Sequence, residues 1–362
     1  MIKKFTITLA IIFPIFVLHI HATAQVTGPC VNCHTMHNSQ NGSPVARGDA
    51  AWGEAGGSTD NIPNLLVSSC LGCHSNTVDE TIKTIGSTKI PIVFNTVEPT
   101  NPLAGGNFYH VSLGGASNDP YGHNVEGISG ADNNIIYIPG KVTVGTHVPG
   151  TITDCYDCHK LMSGWPGMPF TKSRSGNVLL CEDCHSAEHH ADDSSTVVDG
   201  TGGWYRFVYN VKGIEHPDWE QAVSPTEHNE YQGETSPLEG SMSDEGCDCH
   251  SDFHALRNPS EVGSGSPWLK HPADVALPTI GEYSAYTTYN PEAPVARPDL
   301  SGYTGPSQTV TPGTDQVMCL SCHRSHGTDQ PDILRWDYST MVAGGTGSGG
   351  CFTCHTQKKQ NP

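Results

Sequence analysis

All fourteen cysteines of this chain lie in short groups that each end in histidine. Six groups read Cys-x-x-Cys-His: Cys30/Cys33/His34, Cys70/Cys73/His74, Cys155/Cys158/His159, Cys181/Cys184/His185, Cys319/Cys322/His323 and Cys351/Cys354/His355. A seventh, Cys247/Cys249/His250, has one residue between its thiols instead of two. Residues three apart on a helical turn lie side by side, so two such thiols reach the two vinyl groups of one porphyrin and form thioethers. The histidine that follows then points an imidazole at the iron as its proximal ligand. Zinc ribbons need two Cys-x-x-Cys pairs per ion and no histidine after each. Redox disulfide motifs come singly, beside an α/β pattern that is absent here. The expectation is seven covalently attached haems c. In the shortened motif the second thiol is rotated from its usual position, which predicts a strained attachment or a single thioether.

Each iron also needs a second axial ligand or an open site. Setting aside His19 and His21 of the leader and the seven proximal residues, eleven histidines remain: His37, His110, His123, His147, His189, His190, His216, His228, His254, His271 and His326. His37 and His326 lie three residues after a proximal histidine and His254 four after, so each projects from the same face of the turn. None of them can sit on the opposite side of the same porphyrin; each ligates a different haem, or none. His123, His228 and His271 lie among turn formers that present an imidazole from a loop. Of the adjacent pair His189 and His190, at least one is expected to ligate, and His190 is taken. His37, His123, His190, His228, His254, His271 and His326 thus supply seven distal candidates for seven haems. His110, His147 and His216 are left to polar roles. With imidazoles in surplus, Met162 is not expected to be an axial ligand, and the acidic run from Asp192 to Asp199 lacks calcium-loop spacing.

The elements that position these groups must be short. Hydrophobic residues make up 36% of the 362, while 40 glycines and 26 prolines punctuate the chain throughout. That composition predicts no long regular elements and too little apolar side chain for an ordinary core. A loop-rich, mostly irregular fold is expected, with short helices at the haem motifs and short strands or hairpins at 88–97 and 134–144. The flat apolar macrocycles would form much of the core. Residues 1–24 read as a signal peptide, with Lys3 and Lys4 before an apolar run and Ala22-Thr23-Ala24 as the cleavage site; residues 25–362 read as one extended domain. The formal charge is −19, or −21 once Lys3 and Lys4 are removed. It argues against nucleic acid and anionic membrane as partners and favours basic proteins or oxidised mineral surfaces.

Several segments resemble the extracellular multihaem c-type cytochromes that polymerise into conductive filaments, the OmcS-like cytochrome nanowires. These are Cys30-Val31-Asn32-Cys33-His34-Thr35-Met36-His37, Cys319-Leu320-Ser321-Cys322-His323-Arg324-Ser325-His326 with Leu334-Arg335-Trp336, Gly122-His123-Asn124-Val125, Cys249-His250 with Asp252-Phe253-His254, and Leu269-Lys270-His271-Pro272. The resemblance implies six-coordinate haems with two histidine ligands, stacked in one continuous chain. It also implies that His37 ligates a haem of the next subunit, by position the one bound through Cys319, Cys322 and His323. The best-known member carries six haems, and the shortened motif is not part of its pattern.

The function expected is long-range extracellular electron transfer by a secreted homopolymer, not enzymatic turnover. A monomeric periplasmic carrier is the alternative. A multihaem reductase is a third reading, and the sequence has no Cys-x-x-Cys-Lys to favour it.

Overall fold

The computed structural model describes residues 26, 28–35, 39–40, 43–44, 65–132, 139, 179–185, 189–190, 197–198, 208, 211–234, 240–243, 247, 250, 253–255, 259–260, 262, 269–345 and 347–358. The leader at 1–24, His37, the Cys155/Cys158/His159 motif, Cys249 and most of 134–144 lie outside them. Among the described residues the two α-helices are α1 (Cys70–His74) and α2 (Tyr109–Ser112), and the other helical pieces are 3-10 turns of three to five residues. The fold is loop-rich, as the glycine and proline content requires. No helix here is long and apolar enough to cross a membrane.

Twelve strands of two to four residues are arranged in four small sheets among the described residues. β1 (Ser39–Gln40) pairs with β2 (Ser43–Pro44), and β3 (Ser75–Asn76) with β6 (Phe94–Asn95). β4 (Ile82–Ile85) and β5 (Thr88–Pro91) form a hairpin with Ile85 opposite Thr88. Gly86 has φ +63° at the first turn position, which a type II′ turn reserves for glycine. The strand expected from residue 88 is therefore the second arm of a hairpin whose first arm begins at Ile82.

The largest sheet runs β10 (Val275–Ala276), β12 (Gln316–Val317), β11 (Ala296–Arg297), β9 (Glu230–Gln232), β8 (Gly213–Ile214), β7 (Val197–Val198). Only the β11–β9 pair in it is parallel. Its strands are too short to hold together by ladder bonds alone. A buried ion cluster ties the centre instead. Arg297, 1% exposed, donates from Nε to Glu230 Oε2 at 2.9 Å and from Nη1 to Asp315. Burial works to raise the Glu230 pKa, but the hydrogen bond from His228 and the Arg297 guanidinium outweigh it and hold the carboxyl below its ordinary value. The apolar clusters are correspondingly small. One contains Val211, Tyr231, Ala296, Met318 and Leu320; a second contains Leu277, Tyr286, Tyr289, Val295 and Val310; a third contains Phe108, Val111 and Val125.

Candidate haem sites

Each described Cys-x-x-Cys-His motif folds as a helical turn. Turns begin at Cys30, Cys70, Cys181 and Cys319, and one spans Gly350–Thr353. The histidine amide closes the turn on the first cysteine's carbonyl: His34 on Cys30 at 2.8 Å, His185 on Cys181 at 3.0 Å, His323 on Cys319 at 3.1 Å and His355 on Cys351 at 2.9 Å. The shortened motif closes one residue earlier, His250 donating to Cys247 at 2.8 Å. After the turn the chain extends at once, with isolated bridges from His34 to Leu66, His185 to Val208 and His323 to Leu334. All described cysteines carry free thiols, so none of them is committed to a disulfide.

The imidazoles stand in opposed pairs. Ring centroids are 6.1 Å apart for His34 and His190, 6.1 Å for His74 and His189, 5.9 Å for His185 and His326, 6.3 Å for His123 and His250, and 6.2 Å for His271 and His355. A bond of about 2 Å from a first-row metal to each imidazole nitrogen puts two trans ring centroids roughly 6 Å apart. Every pair joins a proximal histidine to one from elsewhere in the chain. The separation is the one that a metal ion bound between the two rings would set.

Hydrogen bonds orient the rings for that role. The Nδ1 of His74 meets Pro91 O at 2.8 Å, His123 meets Ser325 O at 2.5 Å, His250 meets Pro139 O at 2.7 Å, His271 meets Pro272 O at 3.0 Å and His323 meets Asp332 O at 2.9 Å. In His355 and His254 the acceptors are carboxylates, Glu282 at 3.3 Å and Asp274 at 2.5 Å. A proton held on Nδ1 leaves the lone pair on Nε2, the tautomer that binds metal. Burial lowers the pKa of His74, His250, His271 and His323, and that of His189 to about 4. Neutral imidazole, the ligating form, is thereby favoured. Two thiols, a trailing imidazole and a facing imidazole are the donor set of c-type haem, and the residues present fit it.

The arrangement differs from the sequence expectation at two points. His189 and His190 both face proximal histidines, of the Cys70 and Cys30 motifs respectively, where at least one was expected to act and His190 was taken. Adjacent residues point their side chains in different directions, so one dipeptide serves two neighbouring sites. His228 is the second point. Its ring lies flat on Tyr289 at 3.6 Å and its Nε2 meets Glu230 at 3.2 Å, so it is drawn into the ion cluster and faces no proximal histidine among the described residues. The turn formers around it gave no sign of this, because Arg297 and Tyr289 arrive from other parts of the chain. His110 and His216 face no proximal histidine among the described residues: His110 lies 3.5 Å from Glu98, and His216 accepts from the Asp218 amide at 3.3 Å. Of the proximal histidines described, His323 alone has no imidazole across from it within the described residues.

Neighbouring sites touch. The thiols of Cys70 and Cys181 are in hydrogen-bonding reach of each other, as are those of Cys247 and Cys319. Burial raises the pKa of Cys73 and Cys322, and nearby thiols add to it: Cys33 at the first, Cys354 and Cys351 at the second. Described motifs that follow one another in the sequence thus lie near one another.

Three glycines position two of the facing rings. A Cβ on Gly106, whose φ is +84°, would lie 1.9 Å from Gly327 O. One on Gly122 would meet His326 O at 2.8 Å, and one on Gly327 would meet Tyr121 O at 2.5 Å. Only bare backbone lets these loops cross, and the crossing sets His123 and His326.

Comparison with known proteins agrees with this donor set. The family described as "Doubled CXXCH motif" matches residues 311–360. The chain is 24% identical to "C-type cytochrome OmcS" of Geobacter sulfurreducens, over 88% of this chain and 82% of the relative. Two solved structures are similar to it. The outer membrane cytochrome S filament from Geobacter sulfurreducens has TM-score 0.43 and 18% identity, over 87% of this chain and 85% of that one. The OmcS nanowire from the same organism has TM-score 0.49 and 17% identity, over 93% of this chain and 92% of that one.

Proposed function

We propose that this chain is a multihaem c-type cytochrome that carries electrons outside the cell, along an array of seven haems each held between two histidines. The observation that carries the reading is the opposition of imidazoles about 6 Å apart, with a proximal member in every pair. On this reading His34 and His190, His74 and His189, His185 and His326, His250 and His123, and His355 and His271 are the axial pairs. Cys30, Cys33, Cys70, Cys73, Cys155, Cys158, Cys181, Cys184, Cys247, Cys249, Cys319, Cys322, Cys351 and Cys354 supply the thioethers, and His159 is the proximal ligand of the third haem. The proton on His254 Nδ1 is held by Asp274, so His254 remains a distal ligand candidate. The haem supplies one-electron redox chemistry when bound; the polypeptide spaces the irons and excludes water. Similarity to a named c-type cytochrome across 88% of the chain supports the reading.

Among the described residues no imidazole faces His323, which is compatible with a ligand supplied by another copy. His37 of a neighbouring subunit would be that ligand, joining subunits head to tail through a shared haem. Residues 1–24 would direct secretion and leave 25–362 as the mature domain. The experiment is His37→Ala in the secreted protein, followed by mass spectrometry and electron microscopy. The expected result is an undiminished haem mass with loss of fibres. Fibres unchanged in that variant would remove the shared ligand, and a secreted chain without porphyrin mass would remove the cytochrome reading altogether.

A further inference from the structure

The proposed haem sites differ in the charges around them, and the contrast is sharpest between the Cys319 and Cys351 motifs. Two arginines flank the first. Arg324, next to His323, donates from Nη1 to the carbonyls of Leu103 and Ala104 at 2.8 and 3.4 Å. Arg335 donates from Nε to Leu320 O at 2.7 Å and His323 O at 3.2 Å, and from Nη1 to Pro291 O at 3.2 Å. Its Nη2 is shielded from solvent and has no hydrogen-bond partner. Neither guanidinium has a carboxylate within ion-pair distance among the described residues, whereas Arg297 has two.

Carbonyl dipoles solvate a guanidinium but do not cancel its charge. The carboxylates that act on this site do so from farther off. Glu220 and Asp329 act on Arg324, and Asp332 acts on His323. Asp329 and Asp332 are exposed, where water and salt screen them. Glu220 is buried, accepts from the Asn229 amide at 2.8 Å and offsets part of the Arg324 charge, so Arg335 carries the larger share of the contrast; Asp274 is felt at the Cys319 thiol. At the Cys351 motif the balance is reversed: the proximal His355 holds Glu282 on its Nδ1, and the lysine paired with that carboxylate, Lys358 at 3.7 Å, is exposed to solvent, whereas His323 holds only a backbone carbonyl. A carboxylate on a proximal imidazole raises the ligand's basicity and favours ferric iron. Unneutralised cations favour the added electron.

We propose that Arg324 and Arg335 hold the haem at Cys319, Cys322 and His323 at a higher reduction potential than its neighbour at Cys351. This rests on the cytochrome reading above. Arg335 thus acts through the field at the iron and not as a ligand. The orphaned Nη2 has the chemistry to take a haem carboxylate, whose negative charge would otherwise lower the potential.

The test is spectroelectrochemical titration of the secreted holoprotein, with haem content measured by mass on the same samples. In Arg335→Gln, one high-potential component moves down, so that at a fixed ambient potential its oxidised-to-reduced ratio rises about tenfold, equivalent to 59 mV for one electron. Arg335→Lys, which keeps the charge, restores it. A fully loaded Arg335→Gln whose components stay in place overturns the proposal, as does a lysine variant that behaves like the glutamine one. Should Arg335→Gln lose a haem, Arg324→Gln is read by the same criterion, and haem loss in both marks the arginines as scaffold and overturns it too. Absence of porphyrin from the unsubstituted chain would instead sink the cytochrome reading.

Discussion

His189 and His190 face His74 and His34 at the same 6.1 Å separation. Side chains of consecutive residues diverge, so on the proposed reading the two rings would serve separate irons, joined by the backbone between them. Each should act alone. His189→Ala and His190→Ala are each expected to leave the haem mass unchanged and to turn one low-spin haem high-spin, read in the electron paramagnetic resonance spectrum. The double variant should turn two. If either single substitution leaves every haem low-spin, that residue is not an axial ligand. The same scale sets His228 apart: its Nε2 meets a buried glutamate at 3.2 Å, and its Nδ1 is the ring nitrogen left without a hydrogen-bond partner.

Among the elements, the loop crossing at Gly106, Gly122 and Gly327 does work that a helix does in more regular proteins. Gly327 bridges both of the other two, and the side chains it sets, His123 and His326, face the proximal histidines of the Cys247 and Cys181 motifs. Gly106→Ala should cost more than about 2 kcal/mol, because positive φ already costs a Cβ-bearing residue about 1–2 kcal/mol and the new methyl collides with a carbonyl. The low-spin signals of two haems should weaken together. Gly130→Ala, where an added Cβ meets nothing within 4 Å, is the control and should leave stability and spectra unchanged. Equal melting temperatures for Gly106→Ala and the parent would show that the crossing is not tight.

Over the whole molecule, the apolar clusters are small and separate, and the longest described helices and strands have five and four residues. Elements this short are not stable without something packed between them. On the cytochrome reading the porphyrins are that packing. The polypeptide made without residues 1–24, which on the proposed reading direct export and hence haem attachment, is expected to show a disordered far-ultraviolet circular dichroism spectrum and no cooperative melt. A cooperative transition in that material would mean that the side chains alone suffice.

What could be read from the amino-acid order was local. Cys-x-x-Cys-His sets its own geometry within one helical turn, so the turns at these motifs and the loop-rich fold around them were legible without coordinates. Glycine and proline content announced short elements for the same local reason. The identity of each facing ring was not legible, because it depends on backbone crossings and ion clusters that join residues distant in the chain. His190 reaches His34, and Arg297 draws Glu230 toward His228, only once the loops between them have folded. Those pairings, and the uneven charge they leave around each site, were decided by tertiary structure.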